Sequence, residues 1–211
     1  MATMTPATRP TPGISGRLYR YRMKPNALQC FESPEVHNFS KFCVYLGGLT
    51  DGLLACQYVD SLASECQQRQ WALVQPIISS SYLGYGTGSL GRDTGELSEL
   101  LEFLVRERGC KDVALVGHST GCQNAVHFMR NAPAKLRSLV RVVGLQAPVS
   151  DREAAILEQQ QQENSDHENT IDALLQRSRQ MVEEGRGNEI IVMQCEMLLL
   201  LFRISKRSST Y

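Results

Sequence analysis

The sequence has no surplus of either charge: 22 Lys and Arg stand against 22 Asp and Glu in 211 residues. Phosphate binding draws on excess Lys and Arg, so nucleic acid is not expected as a partner. Long hydrophobic runs are also absent. The longest, residues 190–202, is broken by Gln194 and Glu196 and falls short of the roughly 20 residues that span a bilayer. No membrane span is expected. The seven cysteines are odd in number and form no Cys-x-x-Cys, which excludes a zinc cluster or a disulfide framework and leaves buried free thiols. Residues 1–13 lack the apolar segment of a secretory signal. No acid precedes Glu32, and residues 1–15, with their Thr, Pro and Arg, read as a short disordered leader, an organelle transit signal being the alternative. A reduced, cytoplasmic protein is expected, with no cofactor and no metal.

What is present is a globular composition, 42% hydrophobic and 21% charged, at a length suited to one α/β domain. Residues 17–22 and 27–31 alternate around Pro25-Asn26, as an antiparallel edge hairpin does. Phe42-Cys43-Val44-Tyr45-Leu46 is a continuous apolar run of the buried parallel kind. Thr50 or Asp51 is placed to cap a helix striped by Leu54, Tyr58, Leu62 and Cys66. A strand over 71–78, a Gly/Ser/Tyr loop over 79–89, and a helix striped by Leu97, Leu100, Leu101 and Leu104 follow. Strand, helix and strand then recur over 112–116, 122–129 and 139–145. This alternation predicts a mostly parallel sheet with helices on both faces, a core over 16–150. Residues 151–187 are polar and Gln-rich, a cap-like helical segment or a solvated helix pair. Residues 188–211 form a divergent tail with neither stripe nor alternation.

One motif carries chemistry. Val113-Ala114-Leu115-Val116 runs into Gly117-His118-Ser119-Thr120-Gly121 and then into a helical pattern. That is Gly-x-Ser-x-Gly on strand, turn and helix, the setting of a nucleophile elbow. Gly117 and Gly121 leave room for a strained turn at Ser119, whose hydroxyl projects above the strand end over a helix N-terminus. The amides of Leu49, after Gly47-Gly48, and of Thr120 are the expected oxyanion hole. Tyr85 and Arg92 are candidates to line the pocket, solvated loop positions being the alternative. Gly86-Thr87-Gly88-Ser89-Leu90-Gly91 matches a dinucleotide-binding fingerprint, but seven residues part it from the strand it should follow, so a flexible loop is the preferred reading.

The sequence resembles the α/β-hydrolase superfamily, and within it a plant and fungal branch that includes fungal esterases acting on ester-linked siderophores. The residues concerned are Tyr45-Leu46-Gly47-Gly48-Leu49-Thr50-Asp51-Gly52, the loop over 82–92, Gly117 to Gly121, and Leu145-Gln146-Ala147-Pro148-Val149-Ser150-Asp151-Arg152-Glu153. The resemblance implies a serine hydrolase of small-molecule carboxylic esters, with Ser119 as nucleophile and an acid and a histidine on later strands. No Asp and no His follows Gly187. His118 reads as structural and His37 as a surface residue. His127, about 12 Å along its helix from Ser119, is out of reach. His167 lies in a polar loop. Asp151, Asp166 and Asp172 offer no clear acid. The resemblance therefore implies C-terminal strands missing from this chain, and two forms: an esterase with its base supplied unexpectedly, or a catalytically impaired truncated isoform.

Overall fold

The computed structural model describes residues 13–36 and 38–148, together with 176–177, 180, 183–184, and the backbone of 190–192 and 201–203. Its sheet opens with β1 (Arg17–Arg22) and β2 (Leu28–Ser33), an antiparallel pair in which Tyr19 faces Cys30. β3 (Lys41–Leu46), β4 (Ala72–Ile77), β5 (Asp112–His118) and β6 (Val140–Gln146) are mutually parallel where they pair. The order across the sheet is β1-β2-β4-β3-β5-β6, with β2 antiparallel to β4, so the hairpin forms one edge.

Two-residue alternation sends the side chains of β3 to opposite faces. Phe42, Val44 and Leu46 enter a core built with Leu97, Leu100, Leu101 and Leu104 of α2 (Leu90–Arg108) and with Ala125 and Phe128 of α3 (Gly121–Asn131). Cys43 and Tyr45 pack on the other face with Val59, Ala63 and Cys66 of α1 (Val59–Gln68). Helices thus cover both faces of a mostly parallel sheet, the α/β-hydrolase fold. No helix among the described residues is long and apolar enough to cross a membrane. Five of the described cysteines are buried, Cys56 is half-buried, and none is bridged. Burial pushes the thiols of Cys30 and Cys110 up to about 12.

Differences from the sequence reading are local. α1 starts at Val59, not near Thr50, and its buried stripe is Val59, Ala63 and Cys66. Leu54 sits at φ 58°, outside any helix, because the Gln75 side chain captures its amide at 2.9 Å. A 3-10 turn at Tyr82–Gly84 interrupts the long loop, and a single helical turn, α4 (Ala134–Arg137), precedes β6. Within the tail, β7 (Ile190–Val192) and β8 (Leu201–Arg203) pair antiparallel as a separate ribbon. Residues 1–12, His37, His167, Asp151, Asp166, Asp172, Cys195 and most of 151–187 lie outside the described residues.

Candidate active site

β5 ends at His118 and α3 begins at Gly121, so two residues make the turn between strand and helix. Ser119 takes φ 51°, a left-handed conformation that costs a non-glycine residue roughly 1–2 kcal/mol. Two bonds hold the bend: its amide donates to the Gln146 carbonyl of β6 at 3.0 Å, and its carbonyl accepts from the Cys122 amide at 3.0 Å. A Cβ on Gly117 would come within 2.6 Å of the Gly121 carbonyl oxygen and 2.7 Å of the Cys122 amide. The tight turn needs glycine there because backbone meets backbone. The Ser119 side chain is half-buried, and its hydroxyl bonds no other described residue.

The loop leaving β3 comes up against this serine. A Cβ on Gly48 would lie 2.9 Å from Ser119 Cβ, 3.4 Å from Asp51 Oδ2 and 3.4 Å from the His118 ring. Asp51, expected as a helix cap, instead accepts the Gly48 amide at 2.7 Å and fixes the loop's shape. Beyond it, the Tyr82 hydroxyl accepts from the Leu53 amide at 3.2 Å and the Tyr82 amide donates to the Asp51 carbonyl at 3.1 Å, tying this loop to the one after β4. The amides of Leu49 and Thr120 donate to no other described residue.

A cleft of about 360 Å³ opens here, and Gly48, Leu49 and Thr120 are among the residues that line it. Tyr85 and Arg92 line it as well, together with Gln75 of β4 and Asn124 of α3, neither of which the sequence singled out. The loop over 79–89 is held by acids in the first turns of α2. Glu96, buried, accepts from the Ser79 amide at 2.7 Å, the Ser79 hydroxyl at 2.6 Å and Arg22 at 3.0 Å. Asp93 accepts from the Ser80 hydroxyl at 2.7 Å, and burial holds its carboxyl above the ordinary carboxylate range. Gly86 stands well past the end of β4 at Ile77, inside this loop rather than at a strand-to-helix turn.

Neither described histidine is hydrogen-bonded to Ser119. The His118 ring is bonded through Nδ1 to the Gln146 side chain and packs edge-on to Tyr58. His127 Nδ1 is 2.7 Å from the Thr94 hydroxyl, between α3 and α2. Asp51, Cys56 and His118 bring ligand atoms within 4.8 Å of one another, the described group with metal-ligand spacing.

The sequence profile of the family described as "Protein of unknown function (DUF1749)" matches residues 3–209. The chain belongs to this family. A curated relative, "Esterase AN6793" of Emericella nidulans, is 29% identical over 176 residues, covering 71% of this chain and 46% of its own length. Among solved structures, "Siderophore hydrolase EstB from Aspergillus fumigatus" superposes with a TM-score of 0.63 at 26% identity, over 92% of this chain and 61% of that one. An "Alpha/Beta hydrolase fold protein of unknown function" gives 0.62 at 27% identity, over 86% and 57%. The chain spans about half the length of the curated relatives it matches.

Proposed function

We propose that this chain is a serine hydrolase acting on small-molecule carboxylic esters. Ser119 Oγ attacks the ester carbonyl, the amides of Leu49 and Thr120 hold the oxyanion of the tetrahedral intermediate, and the alcohol leaves. Water then releases the acyl group from the serine. One observation carries the reading: a strained, unbonded serine at a strand-to-helix bend, next to a cleft lined by Leu49 and Thr120, whose amides are unengaged among the described residues. The names of the esterase and siderophore hydrolase relatives agree with that chemistry.

A tagged fluorophosphonate tests it, because the probe needs an activated serine and an oxyanion site but no particular substrate. Labelling that disappears in Ser119→Ala is the expected result. Labelling that persists in Ser119→Ala, or fails in well-folded protein, overturns it. A second reading has its own observation: among the described residues, neither His118 nor His127 is hydrogen-bonded to Ser119. On that reading the chain is a catalytically impaired form, since loss of a triad member typically costs several orders of magnitude in rate. Ester turnover within tenfold of a full-length relative would reject it.

A further inference from the structure

Three side chains of metal-binding type meet where the loop after β3 touches the end of β5. Asp51, Cys56 and His118 each offer a ligand atom within 4.8 Å of the others. All three residues are half-buried, so an ion can reach them from solvent. The loop that carries Asp51 and Cys56 is curled by left-handed residues, Thr50 at φ 65° and Leu54 at φ 58°, and the Gln75 bond holds the second. In a tetrahedral zinc site, with bonds of about 2.0–2.3 Å, ligand atoms stand roughly 3.5 Å apart, so closing on an ion takes side-chain shifts of about 1 Å.

The bonds these residues already make leave lone pairs for an ion. Asp51 Oδ2 accepts the Gly48 amide, and no described Lys or Arg pairs with the carboxylate. A carboxylate has about four acceptor sites on its two oxygens, so one N–H leaves room for a cation. His118 presents Nδ1 to Gln146 Oε1, which also accepts the Tyr58 hydroxyl at 3.2 Å. An amide oxygen only accepts, so Nδ1 carries the proton and Nε2 keeps its lone pair. The ring carbon beside Nε2 and Asp51 Oδ2 both lie 3.4 Å from the same point, a Cβ on Gly48. A metal-bound histidine is held in this way, its other nitrogen donating to an oxygen that fixes the ring. The Tyr45 and Tyr58 hydroxyls stand beside the Cys56 sulfur, as polar donors do around a metal-bound thiolate.

We propose that Asp51, Cys56 and His118 bind one Zn²⁺ and so clip the loop after β3 to the end of β5, next to Ser119. One carboxylate, one thiolate and one imidazole suit zinc, whereas calcium and magnesium take oxygen ligands. The two anionic ligands balance the charge of the ion, the thiol proton leaves to solvent on binding, and a fourth position stays open to water. Binding does not depend on Ser119 acting as a nucleophile, so the test measures binding. Untagged, metal-free protein is titrated with Co²⁺, whose bond to a thiolate gives a near-ultraviolet charge-transfer band. The band is expected to saturate at one ion per chain and to be displaced by one equivalent of Zn²⁺, which also raises the urea midpoint. Cys56→Ser should abolish the band. Asp51→Asn, which keeps an acceptor for the Gly48 amide, should weaken Zn²⁺ binding at least about tenfold. Urea midpoints without metal show whether each variant folds, and if one does not, the other and the parent chain decide. No band in the folded parent chain at millimolar Co²⁺, a band that survives Cys56→Ser, or unchanged affinity in Asp51→Asn would each overturn the site. Fluorophosphonate labelling reports separately on Ser119, so either idea can fail alone.

Discussion

Substituting Gly121 by alanine tests the contact on which the candidate site depends. Gly121 opens α3 one residue after the Ser119–Thr120 bend. An added Cβ would lie 2.9 Å from the Leu46 carbonyl carbon and closer still to the carbonyl oxygens of Leu46 and Gly47. Both neighbours are backbone at the end of β3, so no side-chain rotation relieves the overlap. To restore an ordinary contact, the helix start and the strand end must separate by about 1 Å. Overpacking of this kind costs about 1–3 kcal/mol. β3 is hemmed in by β4 and β5, which places the expected loss at the upper end, about 3 kcal/mol. The same displacement carries Gly48 and Leu49 away from Ser119, and a 1 Å misplacement of catalytic groups costs on the order of 100-fold in rate.

Gly95→Ala is the matched control. Gly95 lies inside α2 with no atom within 4 Å of the added Cβ, so alanine should stabilise by about 0.5–1 kcal/mol through helix propensity alone. Urea denaturation followed by Trp71 fluorescence gives the stability of both variants, and the rate of fluorophosphonate labelling gives the state of the site. Gly121→Ala with an unchanged midpoint and labelling rate would show that α3 and the end of β3 do not touch as described.

Three further outcomes follow from named contacts. Arg108 meets the buried Glu32 carboxylate through Nε at 3.1 Å and Nη2 at 2.7 Å and lies over the Tyr19 ring at 5.2 Å, so Arg108→Ala should cost about 3 kcal/mol in urea denaturation. Arg108→Lys should recover only part of this, because an ammonium cannot reproduce the fork. Ser119→Gly should raise stability by about 1 kcal/mol while labelling is lost, the signature of strain held at a functional position. Asp93 is held above its ordinary value by burial, so the folded chain binds that proton more tightly than the unfolded chain. Stability should therefore fall as pH rises from about 3.9 towards the raised value, then level off. Asp93→Asn should lack that slope when urea midpoints are compared across pH 4–7.

The parts of this molecule that are legible in the sequence are those whose cause is local. Phe42 to Leu46 reads as a buried strand because every side chain is apolar, and the leucine stripe of α2 reads as a helix because its period is 3.6. The start of α1 misleads for the opposite reason. Leu54, Tyr58, Leu62 and Cys66 have helical spacing, but a side chain from β4 removes Leu54 from the helix, and Gln75 lies 21 positions away. The lining of the cleft beyond the elbow is hidden in the same way. Asp93 and Glu96 look like acids favoured at a helix N-terminus, yet each is used to hold a serine of the preceding loop. Only Gln75 leaves a trace, a polar residue inside an otherwise apolar buried strand, Ala72–Ile77, where an amide must have a partner. Backbone strain at a Gly-x-Ser-x-Gly turn is set by five adjacent residues, so the atom proposed to attack is written in one short segment. Gln75, Arg92 and Asn124 come from three separate elements, and only the fold brings them to one cleft.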